Sequence, residues 1–109
     1  MGKLDKLQPA AVWQIFEKMN DIPRGSGNET GVMNMLKAWA DERSLNWRDD
    51  KVGNLLIEIP GTKGLEKGAA VLVQGHVDMV CEKNAATRHD FEKDPIKMKI
   101  EGDWVTAEG

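Results

Sequence analysis

Apolar residues first recur at helical spacing after Pro9, where Val12, Ile15, Phe16 and Met19 fall on one face of a helix. Pro9 suits the first helical position, since a missing N–H costs nothing there. The helix is expected to stop before Ile22-Pro23, because a residue ahead of proline avoids the helical region. Pro23-Arg24-Gly25-Ser26-Gly27 is a loop of turn-formers. Ser26 with Glu29 three residues on fits a capping box, in which each side chain satisfies the other's free amide. The helix so introduced carries Val32, Met35, Leu36 and Trp39 on one face, with Lys37, Asp41 and Glu42 outside it, and runs to about Arg43.

The pattern then changes from a helical to a strand period. Leu45-Asn46-Trp47 alternates, and Asn54 to Ile59 is rich in strand formers, with residues 49–53 as the connecting turn and Pro60 to Gly64 closing the second run. Ala69-Ala70-Val71-Leu72-Val73 is continuously apolar, which predicts a strand covered on both faces near the centre of a sheet. Ile96, Met98 and Ile100 alternate with lysines before Glu101-Gly102-Asp103 turns the chain toward Trp104-Val105. Two helices followed by several strands predict an α/β architecture.

Composition changes this picture little. The chain has 109 residues, 40% hydrophobic and 30% charged, the size and balance of one modest domain. A net charge of -3 gives no electrostatic ground for nucleic acid or an anionic membrane as partner. No apolar run approaches the roughly 20 residues that span a bilayer. The first residues, Met1 to Leu7, have no signal-peptide pattern, and Lys6 stands where a myristoylation motif needs a hydroxyl. With one cysteine there is no internal disulfide framework, and the cytosol is the expected compartment. The last residues, Trp104 to Gly109, read as a strand running into a turn, so the chain is expected to be cut from a longer one.

Candidate chemistry concentrates in Gln74-Gly75-His76-Val77-Asp78, at the C-terminal end of the predicted buried strand, the edge where open α/β sheets bind ligands. In an extended stretch, residues two apart point the same way. His76 then suits a zinc ligand, with the Asp78 carboxylate accepting the proton of its other ring nitrogen and fixing its orientation. By spacing alone the signal is weak, and a hydrogen-bonded structural histidine at a strand end is the plainer reading of the same pair.

The neighbouring residues add a family resemblance. Gly75 through Asn84, His89-Asp90-Phe91 and Asp94-Pro95-Ile96 resemble aminoacyl-histidine dipeptidases, the Xaa-His or carnosine-type members of the M20 metallopeptidases. Ile22-Pro23-Arg24, Ser26 to Glu29, residues 51–55 and Gly102 to Val105 match as well, so the resemblance covers nearly all of the chain. It implies that residues 1–109 are part of a zinc-peptidase-like catalytic domain with an incomplete sheet, and that the lid or dimerisation domain lies elsewhere. His76 is then a ligand to one metal of a two-zinc site and Asp78 the aspartate that orients it. The bridging aspartate, the general-base glutamate and the other ligands are expected beyond Gly109. The implied chemistry is hydrolysis of an Xaa-His dipeptide by a water that two zinc ions acidify and a glutamate deprotonates, in a cytosolic enzyme. This chain alone is expected to be inactive. Other M20 hydrolases (tripeptidase, carboxypeptidase, amidohydrolase) and a non-catalytic module on the same fold are the rival readings.

Other candidates have plainer explanations. Cys81 with His76 and His89 matches no usual structural-zinc spacing, and the cysteine is expected to be a small buried hydrophobe. His89-Asp90 is expected to shape the loop that Asp94-Pro95 closes. Arg24 and Glu29 read as a loop residue and a capping residue. Gly25-Ser26-Gly27 lacks the strand and lysine of a phosphate loop. An open sheet edge predicts self-association of the isolated chain.

Overall fold

The computed structural model describes residues 2–109, and Met1 lies outside them. The element order is α1 (Ala10–Asn20), α2 (Thr30–Glu42), β1 (Asn46–Asp49), β2 (Leu55–Glu58), β3 (Met98–Glu101) and β4 (Trp104–Ala107). Helices precede strands, as the periodicities predict, and the class is α/β. The strands form two antiparallel hairpins, β1 with β2 and β3 with β4. The chain divides into two compact units, one of Met1–Val32 with Val77–Gly109 and one of Met33–His76.

In the first unit, Pro9 stands just outside α1 in extended conformation (φ -74, ψ 130) as its N-cap, one place earlier than its chemistry suggests. Ile15 and Met19 are half-buried, whereas Val12 and Phe16 stay exposed, Phe16 lying edge-on to Trp13. Ahead of the helix, Leu4 is fully buried, and the amides of Lys3 and Leu4 donate to the Glu17 carboxylate at 2.7 and 3.4 Å. At the other end Asn20 is only 4% exposed, and each of its polar groups is engaged. Its amide nitrogen donates to the Met98 sulfur at 3.1 Å, its side-chain oxygen accepts from Arg24 at 2.8 Å, and its carbonyl accepts from the Ile96 amide at 2.9 Å. A buried amide left unmade would cost about 1–3 kcal/mol, so this residue ties the helix end to the start of β3. β3 and β4 pair from Met98↔Ala107 to Glu101↔Trp104. Gly102 supplies the positive φ (59°) that a tight hairpin turn demands.

The second unit is organised around Trp47. Its indole N–H donates to Asp41 at 2.8 Å, and Lys37, paired with Asp49, lies over its ring at 4.8 Å. β1 and β2 run from Asn46↔Glu58 to Asp49↔Leu55. In the turn between them, Asp50 accepts from the amides of Val52 and Asn54 and from the Asn54 side chain. Those donors, the Asn54 side chain first, hold its carboxyl below the ordinary range. The continuously apolar stretch departs from expectation. Ala69–Val73 forms no strand, and Val71, Leu72 and Val73 are 86%, 76% and 89% exposed. An extended segment becomes a strand only when a neighbour takes its hydrogen bonds, and both hairpins are closed on themselves. Its sequence carries the composition of a central strand without, among the described residues, the partner that would make it one.

α2 ends in a Schellman motif: the Leu45 amide donates to Ala40 at 2.9 Å and the Ser44 amide to Asp41 at 3.0 Å. Ser44 occupies the left-handed position at φ 53, where a Cβ is disfavoured. Ser44→Gly is therefore expected to raise stability by about 0.5–1 kcal/mol. The check is a thermal or urea midpoint, with Ser44→Ala showing no such gain.

Candidate functional site

The loop after α1 and the segment after His76 are hydrogen-bonded to each other at residues that matter for the predicted chemistry. Gly25 forms a parallel bridge with Met79: the Met79 amide donates to the Arg24 carbonyl at 3.0 Å, and the Ser26 amide donates to the Met79 carbonyl at 3.3 Å. Gly25 is buried, and a Cβ there would lie 2.6 Å from the Cys81 sulfur, so a larger residue would require that side chain to move. The side chains add two more ties. Arg24 donates from one terminal nitrogen to the Val77 carbonyl at 2.9 Å and from the other to Asn20. Ser26 donates its hydroxyl to Asp78 Oδ2 at 2.6 Å.

Ser26 is thus not a helix cap. α2 begins at Thr30, and Glu29 accepts from the Gly27 amide at 2.8 Å, so the glutamate braces the loop itself. The Ser-x-x-Glu spacing was a local signal. The Ser26 hydroxyl donates instead to a carboxylate 52 residues away, and α2 starts too late for Ser26 to cap it. Arg24 and Asn20 were likewise invisible as a pair of holders.

His76 is exposed and Asp78 half-buried. The expectation that His76 ends a buried strand is corrected by the exposure of the preceding residues. Cys81 is exposed too, which corrects the expectation of a buried thiol: its sulfur faces Gly25 from the surface.

His89, Asp90 and Asp94 do shape a loop. The Asp94 amide donates to the Asp90 carbonyl at 2.7 Å, the Asp90 amide to the Asp94 carboxylate at 2.8 Å, and the Glu92 amide to the Asp90 carboxylate at 3.0 Å. His89 lies edge-on to Phe91 (4.6 Å between centroids), and its Nε2 is buried with no hydrogen-bond partner among the described residues. Together with Pro23, Arg24 and Met79 they line a cavity of about 10 Å³. That admits one water at most and no dipeptide.

A tetrahedral catalytic zinc takes about three protein ligands. Among the described residues no three His, Cys, Asp or Glu side chains are gathered for a metal. His76 has the right donor chemistry for one position, but the residues present do not by themselves make a zinc site.

No protein-family model matches the chain. It is 43% identical over all 109 residues to the cytosol non-specific dipeptidase of Escherichia coli (strain K12), of which it spans 22%. It superposes at a TM-score of 0.94 and 42% identity on the crystal structure of the aminoacylhistidine dipeptidase from Vibrio alginolyticus, covering 99% of this chain and 22% of that one. Over its whole length, then, the chain is homologous to dipeptidases, and it spans about a fifth of the length of these relatives.

The Glu92 amide, with Lys93 adding to it, holds the Asp90 carboxyl below its ordinary value of 3.8. A group whose pKa falls on folding stabilises above its unfolded pKa and loses that contribution as pH drops through the folded one. The loop of residues 90–94 is accordingly expected to loosen only below about pH 4. The Glu92 amide resonance should titrate there, and Asp90→Asn should abolish that titration.

Proposed function

We propose that this chain is the opening part of the catalytic domain of a cytosolic metallodipeptidase that cleaves unblocked dipeptides, Xaa-His among them. The observation that carries the reading is the match to dipeptidases in sequence over 109 residues and in fold over 99% of the chain. A shared α/β framework alone would leave function open, because one fold hosts many chemistries. The specific residues narrow it: Gly75-His76-Val77-Asp78 puts ligand and orienting chemistry two residues apart within the stretch that resembles dipeptidases.

In this reading His76 supplies one ligand to a zinc ion, and Asp78 is the carboxylate that orients it. The remaining ligands and the general base come from residues outside these 109, as does the lid or dimerisation domain. A bound zinc would supply Lewis-acid chemistry, and toward it this chain would contribute His76 as a ligand and Asp78 as the orienting carboxylate. This chain also contributes placement: Arg24, Gly25 and Ser26 fix the backbone and the carboxylate that follow His76. In the described residues no helix is long and apolar enough to cross a membrane. The isolated chain is inactive in this proposal, and it associates with further copies of itself through the exposed Val71-Leu72-Val73 segment, whose apolar side chains have high strand propensity.

The test is hydrolysis of an Xaa-His dipeptide with zinc added, on residues 1–109 and on the protein at its full natural length. Activity is expected only at full length, and His76→Ala should lower it, together with zinc affinity, by about 100-fold or more. Turnover by residues 1–109 alone would refute the assignment of the missing ligands. A folded, zinc-loaded, full-length protein that leaves dipeptides intact would favour a different M20 substrate or a non-catalytic role.

Self-association has its own measurement. Light scattering of residues 1–109 should report oligomers that Leu72→Lys shifts toward monomer. A wild-type monomer at working concentration would contradict it.

A further inference from the structure

The proposed role of Asp78 raises the question of what holds Asp78. The loop of residues 23–27 makes three kinds of contact around it. Arg24 grips the carbonyl of the residue before it, the Gly25 bridge grips the backbone of the residue after it, and Ser26 reaches its carboxylate. The two backbone ties suffice to place the Asp78 Cα. Both act on neighbouring backbone and neither is made to its carboxylate.

The Ser26 hydroxyl acts on that carboxylate directly, through Oδ2. At 2.6 Å this bond lies in the short range of about 2.5–2.7 Å typical of a hydroxyl donating to a carboxylate. Ser26 is exposed, so this bond fills no core and satisfies no group that water cannot reach. The spacing to Glu29 offers Ser26 a capping role that it does not take, since α2 starts four residues later at Thr30. With Oδ2 engaged by the hydroxyl, rotation of the planar carboxylate is restrained.

From this geometry we infer that Ser26 is a positioning residue for the hydrolytic reaction, acting through Asp78 to aim the carboxylate. Arg24, itself anchored on buried Asn20, keeps the backbone of that segment still. The inference rests on the dipeptidase reading above and deepens it. It also divides the labour of one loop: Arg24 and Gly25 serve placement of the chain, Ser26 serves orientation of a single side chain.

The experiment uses the protein at its full natural length with an Xaa-His dipeptide. Ser26→Ala is expected to lower kcat about 10-fold while leaving KM within about 2-fold, as loss of an orienting partner does. Ser26→Thr, which keeps the hydroxyl, should recover most of the rate. In an Asp78→Asn background, Ser26→Ala should cost nothing further, because residues acting through one another are not additive. Thermal midpoint and amide exchange at Met79 should be unchanged in Ser26→Ala, since the Arg24 and Gly25 ties remain; loss of both would make Ser26 a structural residue and overturn the inference. A wild-type kcat for Ser26→Ala, in a protein that His76→Ala inactivates, would overturn it and leave the dipeptidase reading standing. So would a Ser26→Ala loss that persists undiminished in Asp78→Asn. If the wild-type protein hydrolyses no dipeptide, or His76→Ala is fully active, the underlying reading fails and the inference falls with it.

Discussion

The guanidinium of Arg24 is the contact on which the arrangement around Asp78 depends. Its planar fork reaches in two directions at once, to the side-chain oxygen of Asn20 at 2.8 Å and to the carbonyl of Val77 at 2.9 Å. A lysine presents its three donors from a single nitrogen and would not hold the two acceptors in the fixed relation of a planar fork. Asn20 in turn closes the end of α1, meets the Met98 sulfur at the start of β3 and accepts from the Ile96 amide. Helix end, loop, candidate site segment and hairpin therefore share one hydrogen-bonded node. Asn20 is buried, so a bond left unmade on its side chain carries a desolvation cost.

Around this node the first unit is held by polar contacts more than by a large core. Its fully buried apolar side chains are few, Leu4 and Val32 among them, and much of the α1 face remains exposed. The second unit shows the same economy. One tryptophan, its acidic acceptor and a lysine over its ring join α2 to β1, while the apolar stretch 69–73 lies open. A chain that spans about a fifth of its relatives' length has little opportunity to cover such surface from within.

The functional reading follows the same physics. A metal ligand or a general base acts through orientation, and orientation is supplied by neighbours that are themselves held. Gly25 gives the close approach, Arg24 fixes the backbone, and Ser26 engages the carboxylate. The 10 Å³ cavity beside His89 is a packing gap of the loop that Asp90 and Asp94 close, and it is far too small for substrate.

What the sequence determined by itself is the local part: helices over residues whose apolar positions recur at helical spacing, hairpins flanked by Asp50 to Gly53 and by Gly102, and a loop drawn together by Asp90 and Asp94. Period and turn chemistry act over a few residues, so they can be read from a few residues. The motif around His76 was legible as well, through its likeness to dipeptidases. Only tertiary structure decided that Ser26 turns to Asp78 instead of capping α2, that Arg24 bridges Asn20 and Val77, and that Val71 to Val73 stand exposed without a strand partner. Val77 and Asp78 lie about fifty residues along the chain from Arg24 and Ser26, and among the described residues no strand pairs with Val71 to Val73. A propensity speaks for the residue that carries it, and a hydrogen bond needs two.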